Sequence, residues 1–227
     1  MSNQAANPAL LAAVIFDLDG VLTDTAEFHY LSWKSLADDL GFDWSRPANE
    51  ALRGLGRMES LRVFLGDRWG LFTDEQRADL AAAKNQRYLD RVEKMTWDDL
   101  LPGAPELLMR LRAARVPTAV ASSSKNARVV ISRLGISNLL DVIVDGLDAP
   151  RSKPDPQTFL LAADRLRVAP RDCVVIEDAE SGVQAALAAG MRVIGIGPAE
   201  RVGRAHIVVS DLARLADRCV EQLLSRG

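Results

Sequence analysis

Val14-Ile15-Phe16-Asp17-Leu18-Asp19-Gly20-Val21-Leu22-Thr23-Asp24-Thr25 is the stretch on which the reading of this chain turns. An apolar run over residues 10–16 delivers two carboxylates, Asp17 and Asp19, one residue apart, and Gly20 follows at once. In an extended chain residues i and i+2 point to the same side, so the two acids can converge where a strand ends and the chain turns. One such carboxylate can act as nucleophile and metal ligand while its neighbour moves protons. A bare Asp-x-Asp is more often a strand followed by an acidic turn. Phe16, the Gly20-Val21 pair and Thr23-Asp24-Thr25 make this instance more specific.

Working outward, short and almost wholly apolar runs recur at residues 12–16, 118–122, 142–144, 174–176 and 193–196, with a weaker sixth at 207–209. Runs that are uniformly apolar rather than alternating mark strands buried on both faces. The segments between them predict helices over residues 104–115, 126–134, 157–166 and 179–189. Asp155-Pro156 suits an N-cap with proline at the first helical position, and Gly135 and Gly190 sit where C-caps belong. This alternation implies an α/β fold, a Rossmann-like parallel sheet with right-handed crossovers, whose ligands bind beyond the carboxyl ends of the strands.

Residues 25–95 break the rhythm. They carry helical periodicity (Phe28, Leu31, Trp33, Leu36 and Leu40, then Leu80 to Val92) and no convincing strand, over a length no crossover loop needs. The segment is predicted to be an inserted helical cap domain on a core made of residues 1–24 and 96–227, with hinges near residues 23–25 and 95–101.

Three further polar sites follow predicted strands. Ala121-Ser122-Ser123-Ser124-Lys125-Asn126 opens a helix, where a hydroxyl and free N–H groups make either a phosphate site or an ordinary N-cap. Arg151-Ser152-Lys153-Pro154 places a lysine in a stiff turn, since Pro154 disfavours the helical conformation at Lys153; by itself it also reads as a solvated loop lysine. Glu177-Asp178 ends a buried strand, where packing gives acids no reason to be. With Asp17 they could hold Mg²⁺ through oxygen ligands, or they could be first-turn acids of a helix.

These four sites, in this order, resemble the motifs of the haloacid dehalogenase (HAD) superfamily of phosphoryl-transfer enzymes, and the resemblance covers essentially the whole chain. Several stretches are more specifically similar to the β-phosphoglucomutase family. They are residues 17–29 ending in Ala26-Glu27-Phe28-His29, Trp33-Lys34, Leu52-Arg53-Gly54-Leu55-Gly56-Arg57 with Ser60, and Lys84-Asn85, together with the sites at 121–126, 152–154 and 177–178. This resemblance implies a HAD fold with a helical cap. It also implies interconversion of β-D-glucose 1-phosphate and D-glucose 6-phosphate through the 1,6-bisphosphate.

Carried over by position, it makes Asp17 the phosphorylated nucleophile and Asp19 the general acid/base, with Ser122 and Lys153 on the transferring phosphate. Mg²⁺ is expected among Asp17, Asp19 (through its carbonyl), Glu177 and Asp178. Arg57 is expected on the remote phosphate. Trp33, the loop of Arg53, Gly54, Leu55 and Ser60, Lys84, Ser123, Ser124 and Asn126 are expected around the substrate, with Thr25 and His29 near Asp19. Position 53 is Arg where Lys is expected, and Gly56-Arg57-Met58-Glu59 departs from the commoner Ser-Arg-Glu-Asp, so the sugar-facing loop is where this chain differs. The alternative is a HAD phosphatase of a small phosphorylated sugar or metabolite, which needs no arginine for a second phosphate. A non-catalytic sugar-phosphate sensor would tolerate loss of Asp17, Asp19, Lys153 or Asp178, and all are present.

Composition agrees with a small-molecule enzyme. The 227 residues are 48% apolar and 26% charged, with a net charge of −3 and no basic block, which argues against a nucleic-acid surface. The two cysteines, Cys173 and Cys219, read as small buried hydrophobes rather than a disulfide framework. No basic residue precedes the first apolar run and no run approaches the ~18 residues of a membrane helix, so a cytoplasmic location with no membrane partner is expected, and a monomer is expected because no apolar stripe in the sequence demands a dimer.

Overall fold

The computed structural model describes residues 13–52 and 55–215. Six parallel strands form one sheet: β1 (Ala13–Phe16), β2 (Thr118–Ala121), β3 (Val142–Val144), β4 (Cys173–Glu177), β5 (Arg192–Ile196) and β6 (Ile207–Val209), in the order β3-β2-β1-β4-β5-β6. β1 lies at the centre, with Ile15 opposite Ala119 on one side and Val175 on the other. Strand order reverses between β1 and β4, and the crevice outside their carboxyl ends is where such sheets bind ligands.

The uniform apolarity of β1, β2, β4 and β5 reflects burial on both faces, whereas the edge strands β3 and β6 are only partly covered. Val14, Phe16, Val120, Val174, Ile176 and Ile194 pack into one core cluster, while Ala13, Ile15, Ala119, Val175 and Val193 pack into another. Helices α5 (Ala104–Ala113), α6 (Ala127–Arg133), α7 (Gln157–Leu166), α8 (Glu180–Ala188) and α9 (Ala199–Val202) follow the strands. Helix α7 begins one residue later than its turn chemistry suggests: Pro156 occupies the N-cap position and Asp155 Oδ1 accepts from Gln157 N at 2.9 Å. Cys173 is buried; Cys219 lies outside the described residues.

Between β1 and α5 the chain forms α1 (Ala26–Leu40), α2 (Arg46–Glu50), α3 (Arg57–Leu65) and α4 (Asp74–Val92). Their apolar faces make a third cluster around Trp33, Leu36, Leu61, Phe64 and Leu65, with the Trp33 and Phe64 rings 4.6 Å apart. Thr73 and Gln76 cap α4 reciprocally, the pattern that starts a long helix cleanly. The two connections run side by side. Thr23 bridges Leu100, Thr23 Oγ1 donates to Asp99 O at 2.7 Å, and Leu101 N donates to Leu22 O at 2.9 Å.

Candidate active site

Asp17 leaves the end of β1 with its N–H bonded to Ile176 O at 2.9 Å, so the β1–β4 ladder itself sets where its side chain emerges. Lys153, from the turn whose Lys153–Pro154 peptide is cis, donates to Asp17 Oδ1 and to Glu177 Oε1, the latter at 2.7 Å. All three side chains are at least nearly nine-tenths buried. Burial alone would lower the Lys153 ammonium, but Asp17 and Glu177 outweigh it and hold the pKa well above the ordinary value. Asp17 is pushed up, first by burial and then by the charges of Glu177 and Asp178, which Lys153 only partly offsets. Glu177 has both oxygens engaged: Oε2 accepts from Ala179 N at 2.7 Å while Oε1 faces Lys153.

Gly20 lets the chain turn beneath these acids. Its φ is +84°, and a Cβ there would lie 2.3 Å from Asp178 Oδ2, so a side chain at position 20 is excluded by backbone and by space. The turn brings Asp19 to Thr25, whose hydroxyl donates to Asp19 Oδ1; Tyr88 OH in turn donates to Thr25 Oγ1 at 3.3 Å. Burial raises the Asp19 carboxyl more than this hydrogen bond lowers it, with Asp24 adding to the rise. A carboxyl so placed keeps its proton to higher pH than an exposed aspartate.

After β2, Ser122 Oγ accepts from Ser124 N at 3.1 Å and Ser124 Oγ from Asn126 N at 3.2 Å, which leaves the Ser122 hydroxyl proton free to donate. Ser123 Oγ is buried without a protein partner, as a hydroxyl awaiting a ligand oxygen would be.

The inserted helices face this edge across a cavity of about 580 Å³ lined by Asp17, Asp19, Ser122, Lys153 and Asp178 from the sheet and by Trp33, Leu55, Arg57, Ser60 and Lys84 from the helices. Arg57 Nη2 donates to Asn85 Oδ1 at 2.8 Å, and Asn126 Nδ2 donates to the same oxygen at 2.8 Å. Asn85 therefore ties the arginine of α3 to the loop after β2. Lys84 Nζ lies 2.7 Å from His29 Nδ1 and over the Trp33 and Tyr88 rings, 4.9 and 5.1 Å from their centroids. Burial, then Arg57, pulls Lys84 down to about 7. His29, stacked on Tyr88 with ring centroids 4.3 Å apart, is held well below its usual value by burial and by Lys84.

The structure thus gathers into one cavity wall the sequence-predicted residues Asp17, Asp19, Thr25, His29, Trp33, Leu55, Arg57, Ser60, Lys84, Ser122, Ser123, Ser124, Asn126, Lys153, Glu177 and Asp178. Arg53 and Gly54 lie outside the described residues. Asn85 and Tyr88 had no role assigned from sequence. Tyr88 stands at i+4 from Lys84 and at i+3 from Asn85, spacings that make neighbours on α4, but spacing does not name the partner a polar side chain will take.

Residues 11–190 match the haloacid dehalogenase-like hydrolase family. The chain belongs to the haloacid dehalogenase-like hydrolases. Within this HAD family it is 42% identical over 207 residues to a β-phosphoglucomutase of Bacillus subtilis, covering 90% of this chain and 92% of that protein. A crystal structure of β-phosphoglucomutase from Clostridium difficile superposes with a TM-score of 0.89 at 38% identity, over 94% of this chain and 97% of that one. A fructose-1-phosphate phosphatase of Escherichia coli is 31% identical, over 82% of this chain and 96% of its own length. The HAD fold with a parallel six-stranded sheet is common to the crystal structure and this chain.

Proposed function

We propose that the protein is a β-phosphoglucomutase, a phosphotransferring isomerase that interconverts β-D-glucose 1-phosphate and D-glucose 6-phosphate through β-D-glucose 1,6-bisphosphate and an aspartyl-phosphate enzyme. The observation that carries the reading is that two cationic side chains, Lys153 on the sheet edge beside Asp17 and Arg57 on the helices between β1 and α5, line one cavity with the Asp17–Asp19 pair. A bisphosphate needs both sites. A monophosphate hydrolase needs only the first.

In this reading an Asp17 carboxylate oxygen bonds to phosphorus as the bond from phosphorus to the donor oxygen breaks. Asp19, its carboxyl raised by burial, gives its proton to the departing oxygen and recovers one from the sugar hydroxyl that attacks the aspartyl phosphate in the return half. Lys153 sets positive charge against the transferring oxygens, and the Ser122 hydroxyl and adjacent N–H groups orient them. Residues 25–95 act as the cap, with Arg57 gripping the remote phosphate and excluding water from the acyl phosphate.

The donor set suits Mg²⁺. Its groups are hard oxygens, and burial, added to by the charges of Glu177 and Asp178, leaves Asp17 raised despite Lys153, an imbalance a divalent cation would correct. Among the described residues no three acids, histidines or cysteines converge at ligand spacing. That fits an ion bound by one or two carboxylates with several waters. Asp17, Asp178 and the Asp19 carbonyl would hold it, and its charge would oppose that of the phosphate oxygens. Glu177, the further ligand expected from the sequence, holds Lys153 through Oε1 and accepts from Ala179 N through Oε2, and each oxygen keeps a lone pair with which it would reach the ion.

The deciding assay supplies β-glucose 1-phosphate, Mg²⁺ and a trace of the 1,6-bisphosphate, and scores glucose 6-phosphate against free phosphate. Release of phosphate without glucose 6-phosphate would replace the mutase reading by that of a sugar phosphatase, the activity named for the relative from Escherichia coli.

A further inference from the structure

Arg128, in the first turn of α6, is bound on three sides. Nε donates to Asp145 Oδ2 at 2.9 Å, and Nη2 donates to Ile143 O at 2.9 Å and to Asp148 Oδ2 at 2.7 Å. Arg165, near the end of α7, donates to Asp148 Oδ1 at 2.7 Å and to Ile143 O at 3.3 Å. Asp145 is buried, and its other oxygen accepts from Leu147 N at 2.8 Å and Asp148 N at 3.2 Å. The two arginines and two aspartates therefore fold the segment after β3 into a tight turn fixed to two helices. The Asp148 carboxyl is held far below the usual carboxylate range, first by its hydrogen bond from Arg165 and then by those from Asp145 N and Arg128.

This turn touches the phosphate loop on one side and leads into the lysine turn on the other. Gly146 N donates to Ser124 O at 3.2 Å. A Cβ on Gly146 would stand 2.4 Å from Ser123 O, so the two backbones are in direct contact and a shift of one moves the other. Ser122 N donates to Val144 O at 3.0 Å, which carries the β2–β3 ladder up to the same point. Seven residues beyond Gly146 the chain reaches Lys153. There Arg151 N and Nε bond Gln157 Oε1 at 3.0 and 3.4 Å, anchoring the lysine turn to the first residue of the helix that carries Arg165.

We propose that Arg128, Asp145, Asp148 and Arg165 form a clamp that fixes the Ser122 loop relative to Lys153 and so positions the phosphoryl group transferred to Asp17. These are positioning residues; none of them lines the cavity. The proposal rests on one part of the proposed function, that Asp17 is phosphorylated with Ser122 and Lys153 on the phosphate, and not on which acceptor follows.

The test compares Arg128→Gln, Asp148→Asn and Asp148→Glu with wild type in two reactions. One is hydrolysis of acetyl phosphate, which needs only the sheet edge; the other is isomerisation of β-glucose 1-phosphate, which also needs the cap. Displacing the phosphate loop should lower kcat by about 10- to 100-fold in both reactions alike. KM for β-glucose 1-phosphate should stay within about twofold, since Arg57 and the sugar contacts are intact. Asp148→Glu, which keeps the charge, should recover part of the loss. Assays run well below each variant's melting temperature separate this from unfolding. Unchanged kcat, a loss that tracks only the folded fraction, or a loss confined to the isomerisation would overturn the clamp. If wild type itself never phosphorylates Asp17, as read by mass spectrometry of the quenched enzyme, it is the proposed function that fails.

Discussion

Replacing Lys153 by Met should unbalance the centre of the site without emptying it. The thioether retains the volume of the lysine stem, whose ammonium lies 4.6 Å from the centre of the Phe159 ring, while the positive charge shared by Asp17 and Glu177 disappears. Removing one partner of a buried ion pair typically costs about 3–5 kcal/mol, because the other is left uncompensated. For a chain of this size that corresponds to a fall in Tm of roughly 6–20 °C.

The penalty should depend on pH in a defined direction. Asp17 already has its carboxyl raised above the unfolded value by burial and by Glu177 and Asp178, so its ionised form opposes folding at neutral pH. That opposition fades as pH falls through the native value. Lys153, held above its ordinary value, contributes stability that is full at neutral pH and lost only in alkali. Without it the Asp17 carboxylate takes up a proton more readily, so the Tm gap between wild type and K153M should be wide near about pH 8 and narrower near about pH 5.5. Phosphoenzyme formation should drop by about 10²–10³, the usual loss when a fixed charge facing the transition state is removed. Circular dichroism melts at the two pH values and quenched-flow labelling of Asp17 measure both effects. A Tm gap under ~2 °C, or one equal at both pH values, would refute the shared-counterion argument.

Asp19→Asn removes the proton shuttle and spares the nucleophile, so both half-reactions should slow by about 10²–10⁴ with phosphorylated Asp17 accumulating in quenched samples; an unaltered rate takes Asp19 out of the mechanism. Arg57→Ala should lower kcat/KM for β-glucose 1-phosphate by at least about tenfold, ~1.4 kcal/mol, and leave acetyl phosphate hydrolysis nearly unchanged. Equal losses in the two reactions would leave only the HAD assignment standing. Lys84 is depressed to about 7 by burial and Arg57, so above that pH the unfolded chain holds a proton that the native one lacks. Wild type should therefore gain stability relative to Lys84→Met as pH rises from about 7, and parallel melting curves across that range would show that the amine titrates normally.

The sheet was legible because its central strands are buried on both faces and its edge strands, β3 and β6, keep wholly apolar runs although they are only partly covered. Residues 142–144, 157–166 and 207–209 begin and end in the structure where their apolar patterns do. The acids and the lysine were legible because they stand against that background at strand ends, where nothing in packing calls for them. Residues 44–72 were not. Helices α2 and α3 are 5 and 9 residues long, too short for a stable 3.6-residue period to register, and a short 3-10 helix of 6 residues follows at Gly66–Leu71. Asn85 and Gly146 were missed for a related reason. What makes them matter is one oxygen shared between Arg57 and Asn126, and one backbone against another. Both are tertiary relations with no local pattern.

Two helix starts carry the same lesson in the opposite sense. Thr25 and Asn126 stand at the N-cap positions of α1 and α6 and are residue types that normally cap with the side chain, yet neither does. The Thr25 hydroxyl goes to Asp19 and the Asn126 amide to Asn85, both at the cavity. Each diversion forgoes a cap bond of about 1 kcal/mol. At α1 the loss is partly offset, since Asp24 Oδ1 accepts from Ala26 N at 2.8 Å. A capping residue that does not cap departs from local rules in the direction of a site. Here the two departures fall on opposite ends of the proposed reaction: Thr25 beside the acid that handles the proton, and Asn126 beside the amide that meets the arginine for the second phosphate. Substituting Thr25 by Ser, which keeps the hydroxyl, should therefore preserve turnover. Valine, which keeps the shape but removes the hydroxyl that donates to Asp19 and accepts from Tyr88, should slow isomerisation through Asp19 and cost about 1–3 kcal/mol of stability in denaturant melts; turnover equal to that of the serine variant would refute the assignment.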